Sequence, residues 1–263
     1  MASIVALLSS RSDRDAVSQA TPRTADLSFC SGVRHLAEIL YRRGSDITCI
    51  ISDLRDTGGA PASPVLRSTL ACGAPPVIVR TRLAASRSRE VIRLASHGIN
   101  VRLALNGSED LIAVVSAAMA GDAAPDAQSA ILQSLGAQVP DSVQSLFIAA
   151  TVVGATRCRV AALAAAAGMS VRTAERQLKI AGVPSARRLL AWSLLAHVVW
   201  RIDVLECTPK QAALRAGFAS RDALANFAHR HQGHTLNELC RRGFDAFLQR
   251  YVHELRGAST PAP

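Results

Sequence analysis

The sequence has little of several features that would point to particular classes of protein. Aromatic residues make up 4% of its 263 residues, and only two of the 30 basic residues are lysines, Lys179 and Lys210. No apolar run reaches the roughly 18–20 residues that a membrane-spanning helix needs, so no membrane partner is expected. The first 15 residues lack the basic start and the long apolar run of a signal peptide, and we predict a β-strand there instead.

Cysteine pairs at the spacing of metal or redox sites are also missing. The six cysteines are scattered without a CxxC motif, and several lie in apolar runs as buried thiols do, which predicts a cytoplasmic location. A zinc site would need His229, His231, His234 and Cys240, but helical positions 229 and 231 point about 200° apart. We therefore expect no metal and no cofactor.

Enzyme signatures are likewise missing. We find no G-x-S-x-G nucleophile elbow, no P-loop and no G-x-G-x-x-G loop, and we expect that the protein is not an enzyme.

The net charge of +10 is distributed very unevenly. Residues 1–150 hold 14 arginines and 13 acidic residues, whereas residues 151–263 hold 16 basic and 7 acidic residues. Nearly all of the positive excess therefore lies in the C-terminal part. A basic half joined to a near-neutral half indicates that the basic half meets a polyanion.

The first 120 residues alternate short apolar runs with amphipathic stretches. Runs such as CIIS and PVIV are typical of strands buried on both faces of a parallel sheet. The alternation predicts an α/β domain with a flavodoxin- or receiver-like parallel sheet. The predicted strands are Ser3–Leu8, Asp26–Phe29, Ile47–Ser52, Pro76–Thr81 and Ile99–Leu105. The predicted helices are Val33–Arg43, Pro64–Ala71, Arg87–Ser96 and Glu109–Ala120, with a weaker helical pattern over residues 13–23.

The remaining chain divides into three parts. Residues 122–140 are rich in Ala and Gln, contain Pro and lack basic residues, which predicts a linker with a short helical piece around Ala130–Leu135. Every strong pattern over residues 141–255 is helical, so an all-α domain is predicted there. The tail, residues 256–263, is expected to be disordered.

A near-repeat is the most informative feature of the helical half. Residues 163–170 read LAAAAGMS and residues 212–220 read AALRAGFAS. Both runs have the order of residues that a helix-turn-helix requires. A small residue comes first, then a Gly that ends one helix at positive φ, a large apolar residue that plugs the core, and a Ser that caps the next helix. Two such units are therefore predicted, joined by an amphipathic helix over residues 186–205.

Each repeat is followed by a helix with polar residues that suit DNA. In the first, Arg172, Arg176 and Lys179 recur on one face, opposite Ala174 and Leu178. The second presents a similar set of polar residues, namely Arg221, Asp222, Asn226 and Arg230. Arg can bond guanine with two hydrogen bonds and Asn can do so with adenine, so these residues can read bases as well as bind phosphates.

Residues 141–255 resemble the DNA-binding domain of AraC-type (AraC/XylS) transcription regulators. The resemblance rests on the run Ser170–Lys179 with Gly182, on Thr208–Ala213 leading to Gly217 and Phe218, and on Gly233 followed by Thr235. It implies that base-contacting positions fall on Arg172, Glu175 and Arg176 in the first unit and on Arg221, Asp222 and Asn226 in the second.

The N-terminal half resembles a response-regulator receiver domain that has lost its chemistry. The resemblance rests on Asp53 after CIIS, on Thr81 after PVIVR, and on the last predicted strand. It implies that Asp53 stands at the phosphoacceptor position. However, Ser9 and Ser10 replace the acidic pair that holds Mg²⁺ in that family, and residues 1–150 contain no Lys to contact a phosphoryl group.

The expectation is a sequence-specific DNA-binding transcription regulator that is regulated through, or dimerised by, its N-terminal domain. Its candidate partners are double-stranded DNA, a second copy of the chain and RNA polymerase, and any small-molecule effector is unknown. One alternative is a response regulator phosphorylated on Asp53. Another is an α/β enzyme whose basic half docks on an anionic partner. Tyr41, Trp192 and Trp200 are predicted to be core residues.

Overall fold

A computed structural model describes residues 2–72, 75–81, 83–105, 111–112, 114–116 and 126–257 of the chain. The chain divides into two compact units, residues 1–133 and 134–263. The boundary lies within residues 122–140, the segment predicted from the sequence to be a linker. The prediction of an α/β part followed by a helical part is confirmed.

Unit 1 is built on a five-stranded parallel sheet in the order β2-β1-β3-β4-β5. All five residues of β1 are buried, as are most of those in β3 and β4, because these strands form the middle of the sheet. The strand order reverses between β1 and β3, which opens a crevice at the carboxyl ends of these strands. The strands are β1 (Ser3–Leu7), β2 (Asp26–Phe29), β3 (Ile47–Asp53), β4 (Val77–Arg80) and β5 (Val101–Ala104).

The helices of unit 1 are α1 (Arg11–Ala20), α2 (Val33–Arg43), α3 (Ser63–Ser68), α4 (Ala85–Ser96) and α5 (Ala127–Leu135). Residues 44–46 and 69–72 form 3₁₀ turns, and residues 111–112 and 114–116 are helical. The other residues of the predicted helix Glu109–Ala120 lie outside the described residues. Helix α5 is tied to the edge of the sheet, since Val101 N–H donates to Ser129 Oγ at 3.1 Å and Gln133 Nε2 donates to the Ile99 carbonyl at 3.1 Å.

Two expectations for unit 1 need correction. Tyr41 is 92% exposed, so its prediction as a core residue is wrong, whereas Leu36 and Leu40 fill the buried face of α2. Residues 13–23 carried only a weak helical pattern, yet α1 is well formed. The pattern was weak because Asp13, which is 1% exposed, lies on the buried face of α1, where an apolar residue is usual.

Over its described residues, the regular secondary structure of unit 2 is entirely helical. Its helices are α6 (Gln144–Val153), α7 (Val160–Ala166), α8 (Val171–Ile180), α9 (Ala186–Asp203), α10 (Pro209–Arg215), α11 (Arg221–Gln232) and α12 (Leu236–Gly257), with 3₁₀ turns at residues 136–138 and 141–143. The last helix is kinked at Gly243, whose φ is +82°. Asp203 Oδ2 accepts the N–H of Phe244 at 2.8 Å and so caps the second part of that helix.

Helix α9 is the centre of unit 2. It contacts α6, α7, α8, α10, α11 and α12. The prediction of an amphipathic helix is wrong here, because every residue from Leu189 to Trp200 is buried. Trp192 stacks on Tyr251 and tilts against Phe247, so the prediction of Trp192 and Trp200 as core residues is confirmed. A helix buried all round is expected where neighbours cover every face.

Candidate nucleic-acid interface

The turn between α7 and α8 is set by one glycine. Gly168 adopts a φ of +70°, its N–H donates to the Ala165 carbonyl at 3.0 Å, and Met169 N–H donates to the Ala164 carbonyl at 2.9 Å. This pair of hydrogen bonds is a Schellman motif, which ends a helix and favours Gly at the left-handed position. Ser170 then begins α8, since its Oγ accepts the N–H of Thr173 at 3.1 Å.

The turn between α10 and α11 repeats this geometry. Gly217 adopts a φ of +81°, its N–H donates to the Leu214 carbonyl at 3.0 Å, and Phe218 N–H donates to the Ala213 carbonyl at 2.9 Å. Ser220 Oγ accepts the N–H of Ala223 at 3.1 Å. The predicted glycine and serine roles are therefore confirmed at both turns. Of the two predicted plugs, Phe218 is buried and Met169 is half-buried.

A capping box begins α10 at the Thr-Pro-Lys-Gln run, residues 208–211. Thr208 Oγ1 accepts the N–H of Gln211, and Gln211 Oε1 accepts the N–H of Thr208. The start of α10 is therefore fixed by local residues alone.

The two helices that follow the turns present the same surface. Position by position, residues 171–180 and 221–230 have the same order of exposed, half-buried and buried side chains. Ala174 and Leu178 face the core in α8, as Leu224 and Ala228 do in α11. Apart from half-buried Glu175, every predicted contact residue lies on the outer face: Arg172, Arg176, Lys179, Arg221, Asp222, Asn226 and Arg230. Val171, Ile180 and His229, which were not predicted, are exposed on the same helices.

The polar residues of α8 come together. Arg172, Glu175, Arg176 and Lys179 line one shallow groove of about 530 Å³ with Val183 and Ser185. Within the described part of the chain, the three cations take part in no ion pair. Their charge is therefore directed to solvent.

The polar residues of α11 are only partly gathered. Asn226 and Arg230 line a smaller hollow of about 270 Å³ with Arg157, Phe218 and Phe227. Arg221 and Asp222 do not line this hollow, and Arg221 Nη2 donates to Asn237 Oδ1 at 3.3 Å. The structure thus places Arg221 against the next helix rather than beside Asn226.

Several basic residues near α11 were not found from the sequence. Arg157, Arg159 and Arg187 line a cavity of about 450 Å³ next to Arg230 and His231. They lie in a loop and in the first turn of α9, away from the repeated motif. The only signal was the pair of arginines at positions 157 and 159, just before a predicted helix.

Asp53 lies at the carboxyl end of β3, in a polar crevice of about 590 Å³ that Ser9, Ser10 and Thr81 also line. The N–H of Ser9 donates to Asp53 Oδ2 at 2.9 Å, and the Ser9 hydroxyl donates to the same oxygen. Ser9 therefore occupies one face of the carboxylate.

Two other acidic residues near this crevice are held by the protein itself. Arg80 Nε lies 2.8 Å from Asp13 Oδ2, forming an ion pair with a buried carboxylate. Asp56 accepts the N–H groups of Val33, Ala60 and Gly58, and these bonds, that of Val33 most of all, hold its pKa below the ordinary value. Asp13 and Asp56 therefore serve the local structure of unit 1.

Among the described residues, no three His, Cys, Asp or Glu side chains come close enough to hold a metal ion. In that same part of the chain, no helix has the length and apolar character needed to cross a membrane. In comparisons of the whole chain, no known protein family, no curated protein and no solved structure matches it.

Proposed function

We propose that the protein is a sequence-specific DNA-binding transcription regulator that acts in the cytoplasm without catalysis. The observation that carries this proposal is the repeat of turn geometry and exposure pattern in α7–α8 and α10–α11. Each pair would form a helix-turn-helix, a motif whose second helix enters the major groove of DNA. Helices α8 and α11 are the two proposed recognition helices.

The side chains on the exposed faces of α8 and α11 support two separate contributions to DNA binding, affinity and sequence specificity. Arginines and Lys179 would neutralise phosphates and release counterions, which gives affinity that falls with salt. Arg172, Arg176 and Asn226 would read base edges, since their side chains can make paired hydrogen bonds to guanine or adenine. Helix α9 connects the two pairs and would hold them for adjacent major grooves, about 34 Å apart on one face of the duplex.

Unit 1 would act as the regulatory or dimerising part of the protein. Its strand order matches that of flavodoxin-like folds, including receiver domains, whose ligands bind where the order reverses. Because Ser9 already donates two hydrogen bonds to Asp53, we propose that regulation does not proceed through phosphorylation of this residue. A second copy of the chain and RNA polymerase are the proposed protein partners.

The test is selection of bound sequences from a pool of random duplex DNA with the full chain. We expect one enriched motif with two segments about one helical turn apart, and a repeat of that motif if two copies bind together. Arg176→Ala and Asn226→Ala are expected to lose discrimination between sites more than affinity for bulk DNA. Failure to enrich any motif, or selection of the wild-type motif by both variants, would contradict the proposal.

A further inference from the structure

The cavity beside α11 has an apolar floor. Leu190, Ala191 and Leu194 of the central helix form it, and Phe227 forms one wall. All three floor residues are less than 10% exposed, so the floor is part of the core of unit 2. A volume of about 450 Å³ lies within the roughly 300–1,000 Å³ of small-molecule sites, which are mostly apolar with a few polar groups.

The rim of the same cavity is cationic. Arg157, Arg159, Arg187 and Arg230 line it, and none of the described lining residues is acidic. None of these four takes part in an ion pair within the described part of the chain. The pKa of His231, which also lines the cavity, is lowered by burial and then by Arg187, Arg230 and Arg188, as expected in a positive potential.

The walls favour a flat ring over a flexible chain. Phe227 and His231 both line the cavity, and aromatic rings pack on one another in stacked or edge-to-face arrangements that a flexible aliphatic chain cannot make. An inorganic anion would leave the apolar floor uncovered, whereas a neutral aromatic compound would leave the arginines without a counter-charge. An aromatic ring with a carboxylate satisfies both parts of the cavity.

We propose that this cavity binds an aromatic carboxylate, with the ring on the Leu190–Leu194 floor and the carboxylate at the arginine rim, and that this ligand competes with DNA. The competition rests on the proposed function. It follows because Arg157, Phe227 and Arg230 line both the cavity and the hollow that contains Asn226. An anion held by Arg157 and Arg230 removes the charge that a DNA phosphate would use.

Binding is tested first without DNA, by isothermal titration of the full chain with naphthalene-2-carboxylate. The matched neutral compound, naphthalene-2-carboxamide, is expected to bind at least about tenfold more weakly, since charge-assisted hydrogen bonds are the stronger ones. Arg187→Gln should weaken carboxylate binding by a similar factor. The control Arg241→Gln changes an exposed arginine that does not line the cavity and should leave binding unchanged.

A second variant tests the floor. Ala191→Met extends a flexible side chain into the cavity and is expected to reduce binding at least about tenfold while far-UV circular dichroism is retained. Equal binding of the two naphthalene compounds, or binding unaffected by both Arg187→Gln and Ala191→Met, would overturn the site.

Competition is tested separately, with the DNA motif obtained by selection. Saturating naphthalene-2-carboxylate should weaken DNA binding at least about fivefold, and DNA should weaken naphthalene-2-carboxylate binding by the same factor, since coupling between sites is reciprocal. Simultaneous binding without mutual effect overturns the competition. If the chain binds the carboxylate but selects no DNA, the proposed function and the competition fail together, whereas the site is supported.

Discussion

The two units contain similar numbers of basic residues but differ in which of them form ion pairs. In unit 1, Arg43, Arg80 and Arg102 form ion pairs with acidic residues of the same unit. In unit 2, Arg188 pairs with Glu254, but the arginines and the lysine of α8 and α11 are exposed and take part in no ion pair of the described residues. Ion pairs therefore hold arginines against the sheet of unit 1, whereas the cations of α8 and α11 are left without acidic partners among the described residues.

The largest effect is expected in unit 1 from Arg80→Met. Removing this arginine leaves the carboxylate of Asp13 buried without a counter-charge, and we expect a loss of about 3 kcal/mol in the free energy of unfolding. Urea denaturation followed by far-UV circular dichroism measures it. Both tryptophans, Trp192 and Trp200, lie in unit 2, so tryptophan fluorescence follows the unfolding of that unit separately.

The double variant Asp13→Asn, Arg80→Met serves as the control for that prediction. It removes both charges and should recover part of the lost stability. A cost below about 1 kcal/mol for Arg80→Met alone would show that the buried pair does not hold unit 1 together.

The counterpart in unit 2 is the double variant Arg172→Ala, Arg176→Ala. These residues are exposed and unpaired, so stability should change by less than about 0.5 kcal/mol. Affinity for the selected DNA site should fall about 100-fold, because two base or phosphate contacts are lost. Fluorescence anisotropy with labelled DNA measures the affinity.

A matched change in unit 1 sharpens the comparison. The double variant Arg34→Ala, Arg67→Ala removes two exposed arginines from the near-neutral unit. Its affinity for DNA should stay within about twofold of that of the unchanged protein. If this control weakened DNA binding as much as the α8 variant, the assignment of DNA binding to unit 2 would be wrong.

A pH effect on stability is expected in unit 2 between pH 7 and pH 5. His197 is buried, its Nε2 donates to the Thr151 carbonyl at 2.8 Å, and burial lowers its pKa to about 4. The folded state therefore favours neutral His197, and the stability present above an unfolded pKa of about 6.5 falls as the pH drops towards 4.

Between pH 7 and pH 5 we expect His197 to account for a loss of about 2 kcal/mol. Urea denaturation followed by tryptophan fluorescence measures the stability of unit 2 at each pH. In His197→Gln the slope against pH should be smaller, and an unchanged slope would rule out this histidine as the cause.

A smaller effect tests whether the two turns of unit 2 are equivalent. Gly168→Ala and Gly217→Ala each place a Cβ at positive φ without a close contact, so both should cost about 1 kcal/mol. Gly168→Asn should cost less, since Asn tolerates this conformation. Thermal unfolding measures the loss, and clearly unequal costs for the two alanine variants would show that the turns differ.

No effect is expected from phosphorylation in unit 1. Incubation with acetyl phosphate and Mg²⁺ should leave the intact mass unchanged, because Ser9 already holds the carboxylate of Asp53. A gain of one phosphoryl group that disappears in Asp53→Asn would establish a working phosphoacceptor and revive that alternative.

Local signals in the sequence predicted local structure well. Helix α2 was predicted over Val33–Arg43 and has those bounds, because its apolar residues recur on one face. The roles of the glycine and the serine in both turns could be predicted, because a positive φ and a helix cap each depend on a single residue. The exposure of Tyr41 was not predicted, because a large ring in a helix does not by itself show whether neighbouring elements will cover it.

Long-range contacts left no such signal. Asp13 and Arg80 are 67 positions apart and meet only because β4 returns to the edge where β1 ends. Similarly, Arg187 approaches Arg230 and His231 only because α9 packs against α11. The cavity that they line could not be inferred from residue types or spacing.

The sequence by itself determined the class of each half, the two repeated turns and the polar face of each following helix, since these depend on periodicity and caps over a few residues. Only the tertiary structure decided the order of the strands, the capture of Asp53 by Ser9 and the gathering of arginines around an apolar floor. These features depend on which elements pack together, and packing is settled by contacts between residues far apart in the chain.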